Sequence, residues 1–189
     1  MLLDRQKAAL LVVDVQEKLL PAIIDHQGLL QRLEWLLGVA GDEALPVTFS
    51  EQYPRGLGHT VSALRQCAAQ APVVEKQHFS CVAAGCLPDS LLQRQQLILC
   101  GMETHVCVLQ TALDLLATGK QVFVVADACG SRHALDHQLG LERMRAAGAV
   151  IVTREMVLFE LLQQAGSAHF KEMSQRYLQN RQDRQPDSA

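Results

Sequence analysis

Three residues could do chemistry together: Cys107, Asp14 and Lys76. Cys107 lies in Gly101-Met-Glu-Thr-His-Val-Cys-Val108, which follows the apolar run 97–100. Val106, Leu109, Leu113 and Leu116 then recur at helical spacing, so the segment reads as buried strand, tight turn and helix. Thr104 is the expected helix cap, which puts Cys107 in the first helical turn. At a helix N-terminus the unpaired N–H groups and the positive end of the dipole favour a thiolate, so a lowered Cys107 pKa is expected. The same N–H groups suit a developing oxyanion. Most free cysteines are only small buried hydrophobes, so the nucleophile reading depends on what else reaches Cys107.

The elements that must position these residues can be read along the chain. Residues 8–13 form a continuous apolar run ending in Asp14, as expected for a strand buried on both faces. Leu29, Leu30, Leu33, Leu36, Leu37 and Ala40 mark an amphipathic helix. Residues 46–50 read as a second strand, 51–58 as a loop and 62–69 as a short helix. Residues 73–76 make a third strand that ends in Lys76, and 87–93 a helix. The strand before Cys107 is the fourth. Residues 121–126 are the fifth strand, 127–131 a turn, 134–147 a helix and 149–153 the sixth strand. Helices are expected over 156–162 and 168–178.

This alternation predicts an α/β fold: a three-layer, Rossmann-like parallel sheet with helices on both faces. In such sheets ligands bind at the carboxyl ends of the strands. Asp14 closes the first strand, Lys76 closes the third and Cys107 follows the fourth, so all three fall on that edge. Each alone has a dull explanation: a turn aspartate, a solvated lysine, a core thiol. Together they supply a base, a cation and a nucleophile.

The 189 residues fit one domain, expected over 1–180, with a polar, disordered tail at 181–189. Apolar residues make up 49% and aromatics only 4%, so aliphatic side chains must fill the core. The formal charge of −3 lacks the basic excess expected of a partner for nucleic acid or anionic membrane. No apolar run approaches the ~20 residues that span a bilayer. Six cysteines without a small secreted scaffold or signal-peptide pattern point to a reducing cytoplasm. No Cys-x-x-Cys occurs and no spacing fits a structural zinc site. No cofactor is expected.

The chain resembles the isochorismatase-like hydrolase (cysteine hydrolase) superfamily. The likeness rests on Leu11-Val-Val-Asp-Val-Gln16, Glu75-Lys76 with Phe79-Ser80, Gly101-Met-Glu-Thr-His-Val-Cys-Val108 and Val125-Ala-Asp-Ala128, and covers roughly residues 7–165. The resemblance implies a six-stranded parallel sheet of order 3-2-1-4-5-6 and a triad of Asp14, Lys76 and Cys107. It also implies a cis peptide between Met102 and Glu103, with an oxyanion hole from the backbone N–H groups of Glu103 and Cys107. Nicotinamidases of this superfamily carry an Asp-x-His metal site after the second strand. Here that place reads Ser50-Glu-Gln-Tyr-Pro54, so no metal is expected and nicotinamide is disfavoured. Members that hydrolyse isochorismate do not rely on a cysteine nucleophile, so Cys107 favours acyl chemistry. The segment 51–58 looks most like the isochorismatase domain-containing branch.

The implied activity is metal-independent cleavage of an amide-type C–N bond in a small molecule through a thioester. Gln52, Tyr53 and Phe79 are the expected substrate-binding residues. Phe49 reads better as core, Asp127 as a turn residue, and His59 and His78 have no evident partner. A homo-oligomer is expected. The competing readings are a non-catalytic binding or scaffold member of the same fold and a thiol redox sensor using Cys107.

Overall fold

The computed structural model describes residues 1–179. The tail expected at 181–189 lies outside the described residues. Six parallel strands form one sheet: β1 (Ala8–Val13), β2 (Val47–Gln52), β3 (Val73–Lys76), β4 (Gln96–Met102), β5 (Gln121–Gly130) and β6 (Val150–Val152). Their order is β3-β2-β1-β4-β5-β6, as the resemblance implies. The helices are α1 (His26–Asp42), α2 (Pro54–Leu57), α3 (Ser62–Cys67), α4 (Asp89–Leu92), α5 (Leu109–Ala117), α6 (Ala134–Ala146), α7 (Arg154–Leu162) and α8 (Ala168–Tyr177).

Side chains alternate across a strand, so β1 feeds two separate cores. Ala8, Leu10 and Val12 pack on one face with Leu29, Leu33, Leu36 and Leu37 of α1 and Val157, Leu158 and Leu161 of α7. Ala9, Leu11 and Val13 pack on the other with Leu109, Ala112 and Leu115 of α5 and Met144 of α6. All six β1 residues are buried, which is why that run carries no polar alternation. Each leucine so buried contributes about 1.5–3 kcal/mol relative to exposure. Cys81 and Cys107 both belong to the α5-side core, so two thiols lie on the same face of the sheet.

Two strands run further than the sequence suggests. The second strand, expected to stop at residue 50, continues through Gln52, because Glu51 pairs with Glu75 and Gln52 with Lys76. The fifth continues to Gly130 where a turn was expected over 127–131, because Cys129 pairs with Gly101 and Gly130 with Met102 beyond a register shift. Loop-like composition is overridden in both places by a partner strand that completes the backbone hydrogen bonds. Both extensions reach the carboxyl edge of the sheet.

Candidate functional site

β1 ends at Val13, which stands level with Ser50 of β2 and Gly101 of β4. The next residue, Asp14, turns into the left-handed region at φ 52. Aspartate tolerates that conformation better than most side chains. Its amide donates to the Ser50 carbonyl at 3.1 Å. The carboxylate is fully buried and held at both oxygens: Lys76 Nζ donates to Oδ2 at 2.7 Å, and Ser50 Oγ donates to Oδ1 at 2.7 Å. Lys76 Nζ also donates to Gln52 Oε1 at 2.7 Å. Burial alone would discharge Lys76, but Asp14 and the nearby thiols of Cys107 and Cys81 outweigh it, so its pKa is raised.

Gly101, at φ 115, lets β4 pass this point; a Cβ there would stand 2.2 Å from the Val13 carbonyl oxygen. The Met102–Glu103 peptide is cis. The chain then makes one π-helical stretch, Thr104–Val108, before α5. The expected cap is corrected here. Thr104 lies inside the π turn and its hydroxyl is hydrogen-bonded to His137 Nδ1 at 2.9 Å, because α6 packs directly over the turn. Val106 and Val108 instead donate to the Glu103 carbonyl at 3.1 and 3.2 Å, which fixes the turn around Cys107.

Cys107 is 6% exposed and interacts with both Asp14 and Lys76. Its pKa is pushed up to about 12, first by burial and then by Asp14, with Lys76 opposing. The expectation of a standing thiolate is therefore corrected: loss of solvent and a facing carboxylate outweigh the helix dipole. Burial and the Asp14 charge both favour the protonated thiol. Asp14 stands against it. The same upward shift weighs against Cys107 as a redox sensor, since the thiolate is the form that reacts with oxidants.

The residues expected to bind substrate divide. Tyr53 lines a cavity of about 430 Å³ together with Arg55, Glu75, Lys76, Gln77 and His78. Asp14 and Cys107 are not among the residues walling this cavity and the Lys76 side chain is closed to solvent, so the cavity borders the buried pair without opening onto it. Gln52 orients Lys76 and donates from Nε2 to the Gln77 carbonyl at 2.7 Å. Phe79 is half exposed and is not among the residues walling the cavity. Phe49 is fully buried beneath the Arg65 guanidinium. His59 does have a partner: Nδ1 stands 3.0 Å from Glu51 Oε2, which raises the His59 pKa. Glu51 Oε1 accepts from the Thr60 amide and hydroxyl at 2.6 and 2.8 Å. Among the described residues no group of three or more His, Cys, Asp or Glu side chains could hold a metal ion. Asp127 fixes the start of α7, accepting from the Arg154 amide at 2.9 Å.

Sequence reasoning missed four participants. Ser50 reads in the sequence only as the end of a strand, yet its hydroxyl holds Asp14. Gln16 is fully buried and locks Asp14's loop to β2, with its Oε1 accepting from the Gln52 amide at 2.8 Å and its Nε2 donating to the Gln52 carbonyl at 3.0 Å. The Glu103 carboxylate is gripped by Arg132 Nε at 3.0 and 3.1 Å, from the far end of β5. Cys81 faces Ser50, Asp14 and Lys76. Only Gln16, which closes the motif Leu11-Val-Val-Asp-Val-Gln16, leaves a signal in the sequence.

The fold is thus a parallel α/β sheet with a buried carboxylate–ammonium pair and a buried thiol at its carboxyl edge. The profile of the Isochorismatase domain matches residues 8–156, and the chain belongs to the isochorismatase family. Isochorismatase domain-containing protein 2A of Mus musculus is 36% identical over 177 residues, covering 89% of this chain and 81% of that protein. The structure of MAR1 ribonuclease from Caenorhabditis elegans is 35% identical, with a TM-score of 0.88 and 100% of each chain covered. The YcaC gene product of Escherichia coli, an octameric hydrolase of unknown specificity, is 26% identical with a TM-score of 0.83, covering 94% of this chain and 91% of that one. Membership of the family supports a hydrolase-type function in general. Among the described residues no helix is long and apolar enough to cross a membrane.

Proposed function

We propose that the protein is a metal-independent cysteine hydrolase that cleaves an amide-type C–N bond of a small molecule. The observation that carries this reading is the buried Asp14–Lys76 pair with the Cys107 thiol against both. Asp14 takes the thiol proton as the sulfur attacks the carbonyl carbon. The backbone N–H groups of Glu103 and Cys107 hold the oxyanion, each contributing about 3 kcal/mol. Asp14 returns the proton to the departing amine and then deprotonates the water that cleaves the thioester. Lys76 keeps the carboxylate in place and balances its charge throughout. Gln52 sets Lys76, and Tyr53 contributes a wall of the substrate cavity; Phe79, half exposed beside it, would reach a substrate only at the cavity's rim.

The charged and amide side chains around the 430 Å³ cavity favour a small polar substrate. The C. elegans relative bears the name of a ribonuclease, but a net charge of −3 gives this chain little basic surface for a polynucleotide. Six free cysteines fit a reducing compartment such as the cytoplasm. The octameric E. coli neighbour supports a homo-oligomer, and light scattering returning a monomer mass would refute it. The deciding experiment offers a panel of small amides and activated esters and searches for an acyl adduct by peptide mass spectrometry. The reading expects the adduct on Cys107, with ammonia or amine released and both signals lost in Cys107→Ala. Turnover that survives Cys107→Ala would reject it.

A further inference from the structure

A second pair of thiols stands beside the site and takes no part in the mechanism above. Cys81 and Cys86 belong to one tight turn over residues 80–86, which follows β3. Three backbone bonds close it: Ala84 to the Ser80 carbonyl at 3.1 Å, Gly85 to Val82 at 2.9 Å and Cys86 to Cys81 at 3.4 Å. The Cys86 thiol donates to the Cys81 carbonyl oxygen at 3.5 Å, and the two side chains influence each other's titration. Cys81 is buried, whereas Cys86 is half-buried and meets solvent. The turn is fastened to α5, the helix that follows Cys107: the Cys81 amide donates to Thr111 Oγ1 at 3.1 Å and Ser80 Oγ donates to Asp114 Oδ2 at 2.6 Å. On its inner side the Cys81 sulfur interacts with the Ser50 hydroxyl, which holds Asp14.

We propose that this turn is a peroxide-reactive dithiol, in which Cys86 is oxidised first and Cys81 resolves it to a Cys81–Cys86 disulfide. It is a modification site separate from the hydrolase chemistry and does not depend on that reading.

The two thiols divide the roles between them. Hydrogen bonding from Cys81, aided by Lys76, brings the Cys86 pKa down to about 7 against the effect of burial, while the Cys81 thiol is pushed well up. Cys67, Cys100, Cys107 and Cys129 are all shifted upward, chiefly by burial. Cys86 is thus the thiol moved toward neutrality among the described residues. In the first step its thiolate attacks a peroxide oxygen. An S–O bond forms, the O–O bond breaks, and the departing hydroxide takes up a proton as water. In the second step the Cys81 sulfur attacks the Cys86 sulfur. The S–S bond forms, the S–O bond breaks, and the hydroxyl leaves with the Cys81 proton as a second water. A hollow of about 320 Å³, lined by Cys81, Val82, Gly85, Leu87, Leu92 and Leu115, gives the turn room to rearrange.

The test exposes the native protein to one equivalent of hydrogen peroxide near neutral pH, blocks remaining thiols and maps the peptide spanning residues 77–94. The proposal expects that peptide to lose two hydrogens, to refuse the blocking label and to recover both on adding dithiothreitol. Cys81→Ala should stop at a Cys86 sulfenic acid that dimedone traps. Cys86→Ala and Cys86→Ser, with circular dichroism confirming their fold, should leave Cys81 reduced. Oxidation of Cys67 or Cys107 ahead of Cys86, or a Cys81–Cys107 bridge, would overturn it. A disulfide in a protein that never forms an acyl adduct would leave the dithiol standing and remove the hydrolase reading; the reverse result would remove the dithiol alone.

Discussion

Lys76 Nζ and Asp14 Oδ2 stand 2.7 Å apart with neither side chain open to solvent. They come from the ends of β3 and β1, with β2 between them in the sheet. Lys76 reaches across that strand, level with Gln52, and so the pair spans three strands. Breaking such a pair leaves one charge buried without its counterion, which typically costs about 3–5 kcal/mol. Lys76→Met should therefore lower stability by about that amount in urea unfolding. The double variant Asp14→Asn with Lys76→Met should regain a good part of it. A Lys76→Met protein as stable as the parent would mean that the pair is not held as described.

The grip of Arg132 on Glu103 gives a kinetic prediction. Arg132→Ala strips the buried carboxylate of its cation and loosens the residue whose N–H is assigned to the oxyanion. An interaction made only in the transition state shows in kcat rather than KM. A fall in kcat of about tenfold or more with little change in KM is expected on any amide that the parent turns over. A change confined to KM would point to a role in binding.

Gly101 offers a test of the fold at the site. A methyl group there would meet the Val13 backbone on the next strand, which cannot move aside as a side chain can. Gly101→Ala is expected to cost about 3 kcal/mol or more, since φ 115 adds conformational strain to the overlap. Thermal unfolding of this variant beside Gly119→Ala, also at positive φ but with open space around it, separates overlap from strain.

Alkylation across pH 6 to 9 should sort the cysteines. The thiolate is the reactive form, so a lowered pKa brings reactivity toward neutral pH and a raised one removes it. Cys86 labelling should climb through about pH 7 and level off above it. Cys107, with its pKa pushed up to about 12, should lag over the whole range, and half-exposed Cys67 should only begin to react at the top of it. At pH 7 about half of Cys86 is thiolate against about 1% of a thiol at the ordinary value of 9, a ratio of about fifty that its lower nucleophilicity reduces to about a five- to eightfold rate advantage, and the gap to Cys107 is far larger. Peptide mass spectrometry at each pH gives the order directly, and Cys107 labelling first would reverse it.

Asp14→Asn probes the proposed proton transfer. A buried thiol that depends on a neighbouring base should lose about 10²–10⁴ in kcat when that base becomes an amide. Cys107 should remain present and unmodified in the variant, as a mass spectrum shows. Turnover unchanged by Asp14→Asn would remove the carboxylate from the mechanism.

The apolar run before Asp14, the leucine spacing of α1 and the strand–turn–helix at Cys107 were legible because each follows from local periodicity. Period two or period 3.6 decides which face of an element is buried, and burial decides the layers. The strand alternation then sufficed to bring Asp14, Lys76 and Cys107 to one edge. What the sequence alone could not decide depends on contacts between distant segments. The extra residues of β2 and β5 are strand only because a neighbour completes their hydrogen bonds. Ser50, Arg132 and Cys81 reach the site through pairings far apart along the chain. The Cys107 pKa turned on burial and on a carboxylate 93 positions away, so the local helix rule pointed the wrong way. Local sequence determined the elements and the edge; the desolvation and charge pairing that set the chemistry arise only once the chain has folded.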